Sequence, residues 1–274
     1  MVRVWFVTGS SRGLGLAVVE AILASGDSVV ATARKTDSID HLVEKYSSDR
    51  ILAVPLDVTN NDQVLAAVDA AVKAFGRIDV VVNNAGYADI ASIEDISLES
   101  FRAQIETLFF GVVYVSKAVL PVMRKQGSGH IIQVSSIGGR VATPGLAAYQ
   151  SAKWAIGGFS TSLSQEVAPF GIKVTVLEPG GMHTELGSSL MQPIPVSEGY
   201  EQTVGEFFKA VENSVKSWSP TAGIARIILD VSKVAEPPLR LLAGADTVEV
   251  AKMTSELLAA SDEKWRDVTM SASS

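Results

Sequence analysis

A tyrosine and a lysine four residues apart, Tyr149 and Lys153, form the first pair in this chain whose spacing favours chemistry. They occur in the segment AAYQSAKWA, where small residues favour a helix, and four residues make about one helical turn. Both side chains therefore emerge on one face of the helix. An ammonium there favours the phenolate, and a tyrosine with a lowered pKa can act as a general acid near neutral pH. The same spacing occurs in ordinary amphipathic helices with a tyrosine anchor and a solvated lysine.

A glycine-rich segment near the N-terminus, VTGSSRGLGLAVV, carries the second candidate site. Gly9, Gly13 and Gly15 fall between a predicted strand and a predicted helix, where the backbone can approach phosphates and present helical N–H groups. The G-x-x-x-G-x-G spacing differs from the G-x-G-x-x-G fingerprint, and a tight turn with positive φ also requires glycine. Three glycines at one strand-to-helix junction favour nucleotide binding.

The end of the second predicted strand distinguishes between two nicotinamide cofactors. NAD requires a carboxylate there for the ribose 2′-hydroxyl, whereas the 2′-phosphate of NADP requires cations. The strand ends in ATARK, without an acidic residue, and Arg34 is placed to grip the phosphate with its forked guanidinium. Arg12 in the glycine loop can reach the same phosphate, whereas Lys35 is partly ordinary surface charge. We therefore expect NADP(H) rather than NAD(H).

An alternation of strands and helices must position these residues. Short β-branched runs predict seven strands, which start near Val2, Asp27, Ile51, Ile78, His130, Ile172 and Pro238. Helical patterns between them predict helices at about 13–25, 38–46, 61–75, 98–126, 149–169 and 220–234. Near-continuous apolar strands separated by helices are typical of a parallel sheet covered on both faces.

The chain shows no internal repeat and no low-complexity linker, so we predict a single domain over residues 1–274. A piece rich in proline, glycine and serine, from Gly180 to Gly199, interrupts the alternation, but another strand follows it. We interpret residues 185–217 as a substrate-binding lid inserted in that domain rather than as a domain boundary.

The composition of the chain argues against several classes of function. A formal charge of −7 disfavours binding to nucleic acid or to an anionic membrane. Without cysteine there are no disulfides or thiolate metal sites, and the three histidines lack a metal-ligand spacing, so we expect no metal. The N-terminal segment turns polar too early for a signal peptide, and no apolar run reaches roughly 18 residues. We therefore expect a soluble, cytoplasmic protein.

Six motifs in the right order resemble those of the short-chain dehydrogenase/reductase family, from the first strand to about Thr184. They are TGSSRGLG from Thr8, LDVT from Leu56, NNAG from Asn83, SSIGGR from Ser135, YQSAK from Tyr149 and PGGMHT from Pro179. Each motif is weak alone, but the ordered set is specific. The resemblance implies an α/β, doubly wound Rossmann fold with a seven-stranded parallel sheet and helices on both faces.

The resemblance also assigns roles to individual residues. Tyr149 would be the general acid in ketone reduction and the base in alcohol oxidation, and Lys153 would bind the nicotinamide ribose and lower the tyrosine pKa. Ser136, rather than the adjacent Ser135, would hydrogen-bond the substrate oxygen. The cofactor residues implied, besides Tyr149 and Lys153, are Gly9, Ser11, Arg12, Gly13, Leu14, Gly15, Arg34, Asp57, Val58, Asn83, Ala85, Gly86, Pro179, Gly180 and Thr184. Of these, Asp57 and Val58 would meet the adenine, and Thr184 the carboxamide.

One position departs from the family pattern. The family places an asparagine three residues before a glycine on the helix preceding the serine strand, beside a water that passes protons to the lysine. The equivalent residue here is Leu108, three residues before Gly111, and adjacent Thr107 would point about 100° away around the helix. The explanations are a slower or rerouted proton relay, an engineered enzyme, or a protein that binds NADPH without turnover.

The segment after Thr184 is expected to select the substrate. It offers a mainly apolar set: Leu186, Leu190, Met191, Ile194, Pro195, Val196, Tyr200, Val204, Phe207 and Phe208. This set suits a lid over an apolar ketone or secondary alcohol, although most of these residues also fit ordinary helix packing. The segment also resembles the branch of the family that contains 17β-hydroxysteroid dehydrogenase-like reductases.

Two predicted helices, at 98–126 and 149–169, carry apolar residues on more than one face, including Phe110 and Trp154. Such helices are buried on both sides, and in the family they form a four-helix interface, so we expect a homo-oligomer, a dimer or a tetramer. The leading function is an NADPH-dependent carbonyl reductase acting reversibly on a small or medium apolar ketone. The alternatives are an NADPH-binding regulatory or scaffold protein and a sugar-nucleotide epimerase, for which little chain remains after Thr184.

Overall fold

Seven parallel strands form one sheet in a computed structural model of the protein, which describes residues 2–184 and 196–273. The strand order is β3-β2-β1-β4-β5-β6-β7. The strands are β1 Val4–Thr8, β2 Ser28–Ala33, β3 Ile51–Pro55, β4 Val80–Asn83, β5 Gly129–Val134, β6 Ile172–Pro179 and β7 Arg240–Ala243. The predicted fold class and all seven predicted strands are confirmed.

Helices cover both faces of the sheet, so the central strands have buried side chains on both faces. In β1 every residue is buried: Trp5 and Val7 pack against one layer of helices and Phe6 against the other. The helices are α1 Gly13–Ala24, α2 Asp40–Lys45, α3 Asn61–Phe75, α4 Leu98–Ile105, α5 Gly111–Gln126, α6 Ala147–Val167, α7 Glu206–Ser214, α8 Thr221–Val231, α9 Ala245–Lys264 and α10 Arg266–Met270. Helices α1 and α8 lie on the first face, and α3, α5 and α6 on the second.

The strand order reverses between β1 and β4, and this point locates the site. From β1 the chain runs outward through β2 and β3, and it then returns to the other side of β1 with β4. All strands are parallel, so the segments that follow them meet at one edge. Doubly wound sheets bind ligands outside the carboxyl ends of the strands at such a reversal.

The helix predicted over 98–126 is continuous, but it contains a π-helical turn. Helices α4 and α5 are joined by that turn, Glu106–Phe110, and single π turns occur frequently at functional sites. The whole helix is long and apolar enough to cross a membrane by length and composition. Core helices pass the same test, and this one packs on the sheet through Val115, Val119 and Met123. The expectations of a cytoplasmic location and of no membrane partner stay predictions.

Helices α7, α9 and α10 were not predicted. In α9, Thr247 and Ala251 are buried, whereas Met253 and Leu257 are exposed, so its sequence lacks the single apolar face that marks a packed helix. Helix α7 lies in the predicted lid, of which residues 185–195 fall outside the described residues. The described part of the predicted lid is residues 196–217, and its role as a lid stays a proposal.

Candidate active site

The predicted catalytic serine lies just beyond the end of β5. Ser136 has an extended backbone and begins a 3-10 turn, Ile137–Gly139, whose Gly138 N–H donates to Ser136 Oγ at 3.0 Å. Its hydroxyl forms a hydrogen bond with Tyr149 and also lies 3.5 Å from the Pro179 carbonyl oxygen. The fold thus brings the serine and tyrosine segments together at the carboxyl edge of the sheet. The neighbouring Ser135 donates instead to the Lys153 carbonyl oxygen at 3.3 Å.

Tyr149 and Lys153 share one face of α6, as one helical turn of spacing requires. Lys153 is 6% exposed, and its ammonium donates to the Val134 carbonyl oxygen at 2.8 Å. The same ammonium lies 5.4 Å from the centre of the Tyr149 ring. The lysine is therefore held between the end of β5 and the tyrosine, with one donor hydrogen committed to the backbone.

The acidities of this pair differ from the sequence-based expectation. Burial raises the pKa of Tyr149, and the hydrogen bond with Ser136 lowers it by less. The lowering expected from Lys153 is not among the causes of this shift; the ammonium donates to the Val134 carbonyl oxygen and lies 5.4 Å from the ring centre. Burial also lowers the pKa of Lys153 to about 8. In this arrangement Tyr149 is a neutral phenol at pH 7, which is the form that can donate a proton.

The glycine loop fits a pyrophosphate-bearing cofactor. Gly9 has φ +68°, and a Cβ there would lie 2.8 Å from the Ala85 Cα, while a Cβ on Gly15 would lie 2.1 Å from the Gly9 carbonyl oxygen. Helix α1 begins at Gly13 with no side-chain cap and no acidic residue in its first turn. Free helical N–H groups without a nearby carboxylate form an anion site. The loop therefore offers close backbone approach and a positive dipole at one place.

The loop after β4 is tied to the glycine loop by residues that the sequence analysis did not assign. Thr8 Oγ1 accepts hydrogen bonds from the backbone N–H of Asn84 at 2.9 Å and of Ala85 at 3.0 Å. The Asn84 amide donates to the carbonyl oxygens of Thr8 and Gly9 at 3.0 and 3.2 Å. Asn84 thus fixes the distance between the two loops, and its position in the NNAG motif is the signal that identifies it.

Asn83, predicted to line the cofactor, has its side chain beneath the loop. It is 3% exposed and donates to Gln133 Oε1 at 2.8 Å, and Gln133 in turn donates to Ser116 Oγ at 3.1 Å. The Asn83 Oδ1 atom is buried without a hydrogen-bond partner among the described residues. A small cavity adjoins Asn83 and Thr107. The Asn83 side chain therefore supports the loop from below, and we expect any contact of Asn83 with a cofactor to come from its backbone.

The remaining predicted cofactor residues occupy two ends of the cleft. Arg34 follows β2 and is exposed, as is Arg12 at the start of α1. Asp57 follows β3 and accepts from Thr59 at 2.8 Å, and a Cβ on Gly111 would lie 2.8 Å from a Val58 methyl group. These four residues lie at the ends of the adjacent strands β1, β2 and β3. Of the others, Ser11 is half-buried in the loop, Leu14 packs its side chain in the core, and Gly86 follows β4.

The end of β6 forms the side of the cleft that the sequence analysis predicts to hold the nicotinamide. Pro179 is the last residue of the strand, and the Gly180 N–H donates to the Ala243 carbonyl oxygen at 3.2 Å. Thr184 lies beside the glycine loop, since a Cβ on Gly13 would lie 3.4 Å from its methyl group. The predicted residues of strands β1 and β6 therefore face each other across the site.

Leu108 lies inside the π turn and is 1% exposed. It faces Gly86, and the polar residue beside it, Thr107, forms a hydrogen bond with Tyr87. The leucine therefore places hydrocarbon where the family pattern has an amide, and Thr107 is engaged with another side chain.

A cleft of about 260 Å³ opens beside Ser136 and Tyr149. Its walls away from that pair are mainly apolar: Val141, Leu146, Met182, Phe207, Val211 and Trp218. Polar residues in the lining include Gln150, which forms hydrogen bonds with Thr143 at 2.8 and 3.0 Å, and Asp246, which accepts from the Gly181 N–H at 2.9 Å. Phe207 and Val211 belong to the predicted lid. Trp218 directly follows the lid and Asp246 comes from a more distant segment; neither was predicted. Among the described residues, no group of three or more histidines or acidic residues could hold a metal ion.

Comparisons with known proteins agree with this geometry. The family model described as short chain dehydrogenase matches residues 3–194. The chain is 58% identical over 273 residues to Oxidoreductase BOA17 of Botryotinia fuckeliana, covering 99% of this chain and 100% of that protein. A solved short-chain dehydrogenase from Streptomyces avermitilis matches with a TM-score of 0.88 and 34% identity, over 98% of this chain and 97% of that one.

Solved structures of this fold include complexes with both nicotinamide cofactors. A short chain dehydrogenase from Burkholderia cenocepacia in complex with NADP matches with a TM-score of 0.77 and 26% identity, over 96% of this chain and 97% of that one. The branch with 17β-hydroxysteroid dehydrogenase-like reductases is not singled out by these likenesses.

Proposed function

The chain belongs to the short-chain dehydrogenase family and is an oxidoreductase, and from this premise we propose that it is an NADPH-dependent carbonyl reductase. The reaction would reduce an apolar ketone to a secondary alcohol, reversibly. One observation carries the proposal: Ser136 and Tyr149 are hydrogen-bonded to each other at the wall of an apolar cleft, with Lys153 buried behind the tyrosine.

When bound, NADPH supplies the hydride, and the chain supplies the proton and the orientation. Tyr149 donates its phenolic proton to the carbonyl oxygen as negative charge develops there. Ser136 donates a hydrogen bond to the same oxygen and so stabilises the charge. Burial opposes the phenolate that remains, and we propose that attraction to the Lys153 ammonium, 5.4 Å from the ring centre, offsets part of that cost once the charge has formed. In alcohol oxidation Tyr149 acts as the base.

The charges near the glycine loop support NADPH as the physiological cofactor. Arg34 directly follows β2 and Arg12 lies in the glycine loop, both exposed, and the strand tip carries no carboxylate. A guanidinium can bind a 2′-phosphate in two-pronged geometry, whereas a carboxylate would repel it. The neighbour solved with NADP agrees with this choice, although NAD also occurs in structures of this fold.

The walls of the cleft support a neutral, apolar substrate of small to medium size. Leu146, Met182 and Trp218 are apolar, and none of the described residues that line the cleft is a cation that would attract an anionic substrate. The carboxylate of Asp246, which also lines the cleft, repels one. The lid over residues 185–217 is proposed to cover this cleft, with Phe207 and Val211 as the parts of it that line the wall.

A second candidate function rests on Leu108. If the proton relay is lost with the asparagine, the protein would bind NADPH as a regulatory or scaffold protein without turnover. The intact arrangement of Ser136, Tyr149 and Lys153 favours the reductase, since a binding protein has no need for a serine–tyrosine hydrogen bond at the cleft.

The decisive experiment follows the loss of NADPH absorbance with a panel of ketones, ketoesters and steroids. We expect turnover with at least one neutral apolar ketone and little turnover with ketoacids. NADPH binding, measured by fluorescence, without turnover on any member would support the regulatory alternative. NADH bound as tightly as NADPH would contradict the cofactor assignment.

A further inference from the structure

Glu178 is a fully buried carboxylate that joins two arginines from distant parts of the chain. We propose that the cluster Arg140–Glu178–Arg240 is a positioning unit, which holds the Ser136 turn, the end of β6 and helix α6 in the arrangement needed for proton and hydride transfer. The proposal rests on the proposed function, because it concerns how the same site is assembled.

The position of Glu178 gives it direct influence over the nicotinamide side. It is 0% exposed and immediately precedes Pro179, the last residue of β6. Its side chain points to the α6 face of the sheet, since Val176 packs on Ile156 of α6 and residues two apart along a strand share a face. Each carboxylate oxygen accepts from a different arginine, Oε2 from Arg140 and Oε1 from Arg240.

Arg140 connects this carboxylate to the serine turn. Its Nε and Nη2 lie 2.7 and 2.5 Å from Glu178 Oε2, and its backbone N–H closes the turn by donating to the Ile137 carbonyl oxygen at 2.8 Å. Gly139, which precedes Arg140, lies so close to α6 that a Cβ on it would be 3.0 Å from the Lys153 carbonyl oxygen. A shift of Arg140 must therefore move the turn that presents Ser136.

Arg240 connects the carboxylate to the catalytic helix. It begins β7 and donates from Nη1 to Glu178 Oε1 at 3.0 Å. Its guanidinium lies against Gly157, where a Cβ would be 2.2 Å from Nη2. Gly157 is one turn beyond Lys153 on α6, so the cation packs on the backbone that carries Tyr149 and Lys153. The glycine is needed for this close approach.

The charges of the cluster explain why Glu178 is its centre. A buried ion pair is weak evidence for stability, because desolvation offsets the attraction. Two cations without the carboxylate between them would repel each other, and Arg140 and Arg240 sit on the serine turn and against α6, respectively. Removal of the negative charge is therefore expected to separate the two elements whose side chains, Ser136 and Tyr149, must reach one substrate oxygen.

The expected consequence is a loss of turnover without a matching loss of cofactor affinity. The glycine loop and Arg34 lie at the ends of β1 and β2, away from the cluster at β6 and β7. Small misplacements of catalytic groups lower rates strongly, on the order of 100-fold for 1 Å. A change at Glu178 should thus lower kcat and raise the deuterium isotope effect from 4-deuterated NADPH, because hydride transfer becomes slower relative to other steps.

The test compares Glu178→Gln and the milder Arg140→Lys with the control Asp79→Asn. Asp79 also pairs with an arginine, Arg77 at 2.6 Å, but it lies at the amino end of the central strand β4, whereas Glu178 lies near the carboxyl end of β6. We expect Glu178→Gln to lower kcat about 10- to 100-fold, with NADPH Kd within about threefold, and Arg140→Lys to fall between it and the wild type. Equal kcat and isotope effect in Glu178→Gln and Asp79→Asn would overturn the proposal.

A crystal structure of Glu178→Gln separates this proposal from the proposed function. If the wild-type protein reduces no ketone, the reductase assignment fails, but the position of the Ser136 turn relative to Tyr149 still tests the cluster. We expect the turn to move away from α6 in the variant. If Glu178→Gln does not fold, Arg140→Lys serves for both measurements. An unmoved turn with unchanged Ser136–Tyr149 hydrogen bonding overturns the positioning role.

Discussion

Leu108 packs directly against Gly86: a Cβ on the glycine would lie 2.7 Å from the Leu108 Cδ2 atom. The contact joins the π turn of the long helix to the loop after β4, which forms the floor of the cofactor cleft. The leucine thus seals this part of the site with hydrocarbon. In the proposed mechanism, proton resupply to Lys153 would therefore use another group, a backbone carbonyl or bulk water.

The variant Leu108→Asn tests whether the relay limits turnover. We expect a several-fold rise in kcat that is largest at alkaline pH, where protons are scarce, and a loss of stability of about 1–3 kcal/mol from the buried amide. The measurement is the pH dependence of kcat together with denaturant unfolding. An unchanged pH profile would show that the relay does not depend on this side chain.

The variant Tyr149→Phe tests the general acid. The ring is kept and the hydroxyl that bonds Ser136 is lost, so we expect kcat to fall by about 10²–10⁴-fold. NADPH affinity should stay nearly unchanged, because the glycine loop is untouched. The readouts are steady-state kinetics and NADPH fluorescence titration. Retained turnover would remove Tyr149 from the mechanism.

The variant Lys153→Met separates stability from function. Burial lowers the pKa of Lys153 from 10.5 to about 8, which corresponds to about 3 kcal/mol of destabilisation at pH 7. The variant also loses the hydrogen bond to the Val134 carbonyl oxygen, which costs it about 1 kcal/mol. We therefore expect the free energy of unfolding of the apoprotein variant to be about 2 kcal/mol higher than that of the wild type at pH 7, while turnover is lost.

The stability advantage of Lys153→Met over the wild type is expected to depend on pH. Between pH 8 and 10.5 the unfolded wild type binds more protons at Lys153 than the folded state does, so wild-type stability rises with pH there. The advantage of Lys153→Met should shrink over the same window. Lys73→Met, at an exposed lysine paired with Asp69, is the control and should leave stability nearly unchanged at every pH, because exposed ion pairs contribute little. An advantage that does not depend on pH would contradict the pKa assignment.

The variant Arg34→Ala tests the cofactor choice. A charge-assisted hydrogen bond contributes about 1.5–3 kcal/mol, so we expect the Kd for NADPH to rise about 10- to 100-fold. The Kd for NADH, which has no 2′-phosphate, should change about twofold or less. Isothermal titration with both cofactors measures the two values. A parallel loss for both cofactors would show that Arg34 does not contact the 2′-phosphate.

The proposed homo-oligomer is tested through two exposed aromatic residues. Phe110 in the π turn and Trp154 on α6 are 39% and 47% exposed, on the helices that the family pairs between subunits. We expect the wild type to be a dimer or tetramer at micromolar concentration and Trp154→Glu to shift it toward the monomer. Size-exclusion light scattering measures both. A monomeric wild type would refute the assignment.

Most of the fold could be predicted from local patterns. The seven strands are short apolar runs, and the glycine loop and the strand-end motifs belong to contiguous segments whose backbone conformation is set by nearby residues. The pairing of Tyr149 with Lys153 follows from helical periodicity alone. Helix α9 was missed because its exposed apolar residues do not form the pattern of a packed helix.

Contacts between distant segments could be seen only in three dimensions. Glu178 meets arginines that are 38 and 62 residues away, and Asp246 and Trp218 reach the cleft from segments after the lid. The raised pKa of Tyr149 likewise follows from burial in the folded chain, which the hydrogen bond with Ser136 only partly offsets. Local sequence specifies backbone conformation and periodicity. Strand register and packing decide which side chains meet and which are desolvated, and desolvation in turn sets the protonation state of each titratable group.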